Sequence, residues 1–328
     1  MTISLKTCPT NKPDTFQEVP IMNPITKRFP VLLLALLLLT LPLSAALADG
    51  ALPIDLSGGA PYTVKYSSDL KVYEDPTIRV ERDKVVSPAK EFNCTYYYAI
   101  VTIQDASQLR TVPADNKDFV SNHRTPGPNM AKRVNAIIAI NGDFPNTFNG
   151  NVSNTYVLRQ GEIYRDSVEP TLDLLLIDED GDFHVIPAGP EQETMDKTEV
   201  DGKRVINAFQ FGPALIIDGE PVPDEVIHDR AHSPAWARPD AQGQRMCIGQ
   251  IGPLQYLVVC CAHYGSNLAT MREIALTIAP DCQTLYTLDG GESAQMMFLG
   301  RKINNINEDG NKPRKISDLI YFASADFH

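Results

Sequence analysis

"RMCIGQIGPLQYLVVCCAH", Arg245 to His263, decides the fold. Two apolar runs flank a Gly252-Pro253 turn signal, so the stretch reads as strand, turn, strand. Paired antiparallel, the two strands place Arg245 at the outer end of the first and His263 at the outer end of the second. A hairpin of this kind brings those two ends together.

The same pattern continues on both sides. "CTYYYAIVTIQD", Cys94 to Asp105, is rich in aromatic and β-branched residues and reads as a strand. "VNAIIAI", Val134 to Ile140, is nearly continuous in apolar residues, reads as a buried strand and stops at "NGDF", Asn141 to Phe144. "TLDLLLIDEDGDFHVIP" reads as a hairpin closed at Glu179–Gly181. "AFQFGPALIIDGEPV" holds a Gly-Pro turn and then a strand ending at Asp218-Gly219. After the Arg245–His263 hairpin comes one clear helix, "TMREIALTIAP". Thr270 suits its N-cap and Glu273, three residues on, suits a capping box. Met271, Ile274, Ala275 and Ile278 form its apolar face, and Pro280 ends it. "TLYTLDGGESAQMMF", Thr284 to Phe298, then delivers Asp289 to the end of a strand, against two glycines. The expected fold class is α+β: a mixed, largely antiparallel sheet with few helices, in a single exported, catalytic-type domain.

The N-terminus carries the export expectation. "VLLLALLLLTLPLSAALA", Val31 to Ala48, is an unbroken apolar run preceded by Lys27 and Arg28, and Ala46-Leu47-Ala48 gives a small-x-small cleavage pattern. Residues 1–48 are read as a signal peptide or, since the run is just long enough to span a bilayer, an N-terminal membrane anchor. Either way the chain is expected to be secreted or held on the outer face of the cell membrane, with membrane contact only through this segment if it stays uncleaved. Residues 49–90, polar and proline-bearing, read as a linker or peripheral arm, and 91–328 as the functional domain. Outside the cell, one or two disulfides are expected among Cys94, Cys247, Cys260, Cys261 and Cys282, with at least one thiol left over.

Charge narrows the partners. The 328 residues carry a formal net charge of −12, and removing residues 1–48, with four basic and two acidic side chains, leaves −14. A chain this acidic lacks the cationic surplus that nucleic-acid binding requires. A small anionic substrate needs only one local cation. Asp178, Asp180 and Asp182 hint at a calcium loop, but the glycine falls too early and Gly189 stands at the twelfth position, so no metal site is expected there. The five cysteines contain no C-x-x-C pair, which argues against zinc.

Three carboxylates sit where an element ends: Asp143, Glu273 and Asp289. Arg245 opens a strand, and Gly142, Gly290 and Gly291 flank two of the acids. Such glycine turns can present backbone N–H groups to an anion. Carboxylates beside an arginine and exposed amides suit a substrate with both sugar and phosphate parts. Each feature also has a plain structural reading: Asp289 as a turn former, Glu273 as half of a capping box, Asn141-Gly142 as a hairpin signal, Arg245 as a surface cation, His263 as one histidine of six.

Taken together, "AINGDF", "QRMCIGQIG", "LATMREIA" and "CQTLYTLDGGESAQMMF", in this order and spacing, resemble the phosphodiester glycosidase family. The resemblance runs from about Val134 to Phe322 and more loosely back to Cys94. It implies an α+β domain and hydrolysis of a sugar–phosphate diester at the anomeric C–O bond, without cofactor or metal, on an extracellular glycan or wall polymer. It places Asn141, Asp143, Arg245, Thr270, Glu273, Asp289, Gly290, Gly291 and Ser293 around the pocket. Asp289, Glu273 and Asp143 are the catalytic candidates. Asn141, Gly142, Arg245, His263, Thr270, Gly290, Gly291 and Ser293 are the substrate-binding ones. The chain departs from the family where Cys261-Ala262-His263 replaces a common Asp-Gly-Arg, and where Ala269 replaces a common glycine. Glu292 adds a negative charge beside the expected phosphate position. Two alternatives stay in view: a catalytically impaired glycan- or wall-polymer-binding module, which the Cys261-Ala262-His263 departure favours, and a metal-dependent phosphodiesterase cleaving P–O, which the clustered acids allow.

Overall fold

The computed structural model describes residues 58–62, 64–88, 90–142, 147–148, 151–229, 242–262, 266–304 and 314–325. Residues 1–57, with the expected signal or anchor, lie outside the described residues, as do Asp143 and His263. Among the described residues no helix is long and apolar enough to cross a membrane.

Three sheets carry the domain, and the pairings described between their strands are antiparallel. The largest has eight strands in the order Val72–Glu74, Ile78–Val86, Thr95–Ile103, Gln255–Cys261, Met246–Gly252, Thr284–Leu288, Ala214–Ile217, Glu220–Pro221. The opening hairpin is therefore its centre, with Met246 opposite Cys260 and Gln250 opposite Tyr256. A five-stranded sheet runs Arg301–Lys302, Met296–Phe298, Ala136–Asn141, Asp318–Ala323, Leu109–Pro113. The third sheet contains Val157–Arg159, Lys203–Gln210 and the expected hairpin, Leu174–Asp178 with Phe183–Ile186.

Alternation along the strands builds two cores. One face of the large sheet, with Val80, Val101, Ile248, Val258 and Leu288, packs with Ile138, Ile140, Phe298, Ile320 and Phe322 of the five-stranded sheet and Leu175 and Phe209 of the third. Its other face, with Cys247, Leu257, Val259, Cys261 and Leu285, is covered by the helix Leu268–Ile278 through Leu268, Met271, Ile274 and Ala275. Burying each of the three larger side chains is worth about 1.5–3 kcal/mol, which fixes this helix over the strand ends that carry Arg245 and Asp289. Two shorter helices, α1 (Gly127–Arg133) and α2 (Asp224–Asp229), precede this one, α3.

Three expectations change. Residues 72–86, read as part of an arm, form two strands of the large sheet. Ile78 and Val80 bury while Arg79 and Glu81 face outward, so the polarity of this stretch belongs to one face of a sheet rather than to a linker. α3 starts before Thr270: Asn267 is its N-cap, and its side-chain oxygen accepts the Thr270 N–H at 2.8 Å. Glu273 then lies beyond the first turn and cannot close a capping box. Finally, Cys94, Cys247, Cys260, Cys261 and Cys282 are all buried free thiols rather than disulfides. Burial pushes the thiols of Cys94 to about 11 and of Cys247 and Cys282 to about 12, so they pack as neutral apolar groups.

Candidate active site

Four strand ends meet around Asn141, Arg245, Cys261 and Asp289. The Ala136–Asn141 strand finishes on Asn141, a buried residue with both ends of its side-chain amide engaged. Its Nδ2 donates to the main-chain carbonyl of Asp289 at 2.8 Å, and its Oδ1 accepts the Gln295 N–H at 3.1 Å. The Asn141 N–H donates to Gln295 O at 3.2 Å. Asn141 therefore clips the turn from Asp289 to Gln295 to the end of a strand in another sheet. Expected to contact substrate, Asn141 is hydrogen-bonded to the protein at both polar side-chain atoms.

Asp289 follows the Thr284–Leu288 strand and is 6% exposed. That strand pairs with Met246–Gly252 so that Leu288 faces Met246, the last pair of the ladder, and Asp289 and Arg245 are the next residues on the two chains. Arg245 is 7% exposed. Since Met246 and Leu288 point into the main core, alternation turns Arg245 and Asp289 to the face that α3 covers. On its other side Arg245 is held by Cys261: the Arg245 N–H donates to Cys261 Sγ at 3.1 Å, and Cys261 N–H donates to Arg245 O at 3.1 Å. The thiol in turn donates to Gly243 O at 3.1 Å. Cys261 is thus part of the scaffold behind Arg245.

The Gly-Gly pair has a specific cause. A Cβ on Gly290 would lie 2.7 Å from Gln244 O and 3.9 Å from Arg245 Cα, so this position has no room for a side chain. Gly291 takes φ +58°, where glycine is favoured, and its N–H donates to Gln244 O at 3.0 Å. The Ser293 and Ala294 amides donate to Gly290 O and Gly291 O. The glycines let two chain segments touch, and the Gly291 amide is spent on that contact rather than offered to an anion. Ser293 is buried within the turn, whereas Glu292 is exposed, directed away from the interior.

α3 enters beside this cluster. Ser266 exchanges backbone hydrogen bonds with Gly243, two residues before Arg245, and Asn267 opens the helix. Thr270, half-buried, stands in the first turn. Glu273 does not join the cluster: it is exposed, and its carboxylate takes the neighbouring Arg272 guanidinium at 3.0–3.1 Å, while Arg272 also reaches Asp224 at 2.9 Å. Hydrogen bonds and close approaches join Asn141, Gly142, Arg245, Asp289, Gly290, Gly291 and Ser293; Thr270 lies in the first turn of α3, and Glu273 is exposed on that helix. Among the described residues no group of three or more His, Cys, Asp or Glu side chains is arranged to hold a metal ion. The acids at Asp178, Asp180 and Asp182 instead surround Lys203, at 3.0–3.4 Å.

Residues 134–323 match the family model described as Phosphodiester glycosidase. The chain belongs to the phosphodiester glycosidase family. Its fold is similar to the zebrafish N-acetylglucosamine-1-phosphodiester alpha-N-acetylglucosaminidase catalytic domain auto-inhibited by its pro-peptide, at a TM-score of 0.60 and 17% identity, covering 77% of this chain and 86% of that one. A hypothetical protein from Synechocystis aligns at a TM-score of 0.50 and 13% identity, over 75% of this chain and 62% of that one. At these identities the likeness is one of fold. The SPbeta prophage-derived uncharacterized protein YomE of Bacillus subtilis is 26% identical over 205 residues, 61% of this chain but 30% of the relative's length.

Sequence reasoning missed Gln244, Gln295 and the pair Arg159–Asp318, which border the cluster. Gln244 acts through its carbonyl, and a main-chain contact leaves no trace in residue type. Arg159 and Asp318 are 159 positions apart, and only the folded sheets bring them together.

Proposed function

We propose that the chain is a hydrolase that cleaves a glycosyl phosphodiester at the anomeric C–O bond, acting on an extracellular glycan or wall polymer. One observation carries the reading: a buried carboxylate, Asp289, and a buried cation, Arg245, each stand one residue beyond the paired Leu288 and Met246, in a chain of the phosphodiester glycosidase family. The zebrafish relative's name states action on an N-acetylglucosamine 1-phosphodiester, which gives the substrate class to test first.

Arg245 binds the phosphate in this scheme, and the first turn of α3 adds the positive end of its dipole. The Gly291 amide has no part in it, since it already serves Gln244. The departing group is a phosphate monoester, whose conjugate acid is far stronger than an alcohol, so the leaving oxygen needs little protonation. The larger demand is at the sugar, where positive charge develops on the anomeric carbon. Asp289 meets that demand, either stabilising the charge or attacking the carbon. Of the three acids named from the sequence it is the one buried within the described cluster, whereas Glu273 is exposed and paired with Arg272.

Asp289→Asn tests the assignment. Asn141 grips the main-chain carbonyl of Asp289, not its side chain, so the variant keeps that clip. Turnover of a methyl N-acetylglucosamine 1-phosphodiester should fall by at least about a hundredfold with the circular dichroism spectrum unchanged. Turnover within about threefold of wild type would remove Asp289 from the reaction.

A further inference from the structure

A buried ion pair lies on the far side of the Asn141–Gly142 corner. Arg159 ends the Val157–Arg159 strand of the third sheet and is wholly buried; Asp318 opens the Asp318–Ala323 strand of the five-stranded sheet and is 2% exposed. Nε and Nη2 of Arg159 each lie 3.4 Å from Asp318 Oδ2. The guanidinium is fixed by its other contacts: it lies 3.7 Å from the Phe209 ring centroid, and Nη1 donates to Leu158 O and Ala208 O. Stability alone is a poor reason for such a pair, because apolar residues of similar volume commonly serve a core as well or better.

What Asp318 touches supplies another reason. A Cβ on Gly142 would lie 2.6–2.7 Å from the Asp318 carboxylate atoms, so the carboxylate fills the space that any other residue's side chain would need. The Gly142 N–H donates to Asp318 O at 3.2 Å, and Leu319 pairs with Asn141. Asp318 thus grips the corner from main chain and side chain together. Asn141, the other half of that corner, holds the Asp289 carbonyl. A continuous path of contacts runs from Arg159 through Asp318 and Asn141–Gly142 to Asp289.

We propose that Asp318, oriented by Arg159, is a positioning residue for Asp289: it fixes the Asn141–Gly142 corner from which the Asp289 turn is suspended. The kinetic part of this claim rests on Asp289 being the reacting carboxylate; the structural part does not.

The decisive variant is Arg159→Met/Asp318→Ala, which removes both charges and so leaves no buried ion uncompensated. It should fold, with kcat on the methyl phosphodiester reduced by at least about tenfold and KM within about threefold of wild type. Arg159→Lys, which keeps the charge but loses the planar fork, is the second variant and should show a smaller loss of about threefold, again in kcat alone. Recovery of full kcat in a folded double variant, or a loss expressed in KM only, overturns the proposal. Hydrogen exchange supplies a readout that needs no turnover. Peptides covering 136–142 and 285–295 should exchange at least about tenfold faster in either variant, while α3, 268–278, stays protected. Unchanged or uniform exchange refutes the positioning role. If wild-type protein turns over no glycosyl phosphodiester, the proposed function fails by itself, and the exchange experiment still decides this inference.

Discussion

Asn141→Ala isolates the contact on which the site hangs. The substitution deletes two hydrogen bonds, from Nδ2 to Asp289 O and from Gln295 N–H to Oδ1, at 2.8 and 3.1 Å. Asn141, Gln295 and Asp289 are all buried, so water does not replace the lost partners. An unsatisfied buried donor or acceptor costs about 1–3 kcal/mol, which puts the two together at about 2–6 kcal/mol. That is a large share of the 5–15 kcal/mol of a typical domain. Urea unfolding followed by tryptophan fluorescence and circular dichroism, extrapolated linearly, measures it. Asn141→Asp is the matched control. Its ionised carboxylate still accepts from Gln295 but faces the Asp289 carbonyl with no proton to share, whereas its protonated form restores the donor. Burial and the facing carbonyl raise its folded pKa, so its stabilising contribution is complete at low pH and is lost as pH rises through that value. Asn141→Asp should therefore approach wild-type stability toward pH 4 and fall below it at pH 7. Destabilisation of Asn141→Ala by less than about 0.5 kcal/mol, or no pH dependence in Asn141→Asp, would refute the clip.

Two further predictions separate this site from its surroundings. Glu273→Gln should keep turnover within about threefold and stability within about 0.5 kcal/mol, because it removes one exposed partner of Arg272; a hundredfold loss would return Glu273 to the reaction. His184 bonds Asp178 at 3.0 Å, and that bond, partly offset by burial, raises the histidine's pKa. Asp178 is pushed up by burial, but hydrogen bonds from His184 and the Asp182 and Asp180 amides, with Lys203 alongside, bring it below the ordinary value. The histidine's contribution is full below about pH 6.5 and lost above; the aspartate's is full above about pH 3.9 and lost below. The difference in Tm between wild type and His184→Gln should be largest near pH 5–6 and shrink by pH 8, and a difference constant over that range would contradict the coupling.

The sequence disclosed much of this fold because its central elements obey simple rules. Gly252-Pro253 between two apolar runs marks the hairpin, and the unbroken Ala136–Ile140 run could only be a buried strand. The Ile78–Val86 strand escaped notice because its outward face is charged. The start of α3 was misjudged because Thr270 and Asn267 both suit an N-cap, and the choice depends on where the preceding bridge to Gly243 releases the chain. The site was legible as a set of residue types but not as a division of labour. Asn141 and the Gly291 amide looked like substrate ligands, yet both bond the protein. Cys261 looked like a defect in the family pattern, yet it supports the Arg245 backbone. Arg159 and Asp318 were invisible, since nothing local joins a strand end to one so far along the chain.

The central claim, hydrolysis of the glycosidic C–O bond, is tested most directly by turnover of a methyl N-acetylglucosamine 1-phosphodiester in ¹⁸O-water, with the products resolved by mass spectrometry. One labelled oxygen is expected in the released sugar and none in the methyl phosphate. Label in the phosphate product would show P–O cleavage and contradict the proposed function; no product would contradict turnover of this diester.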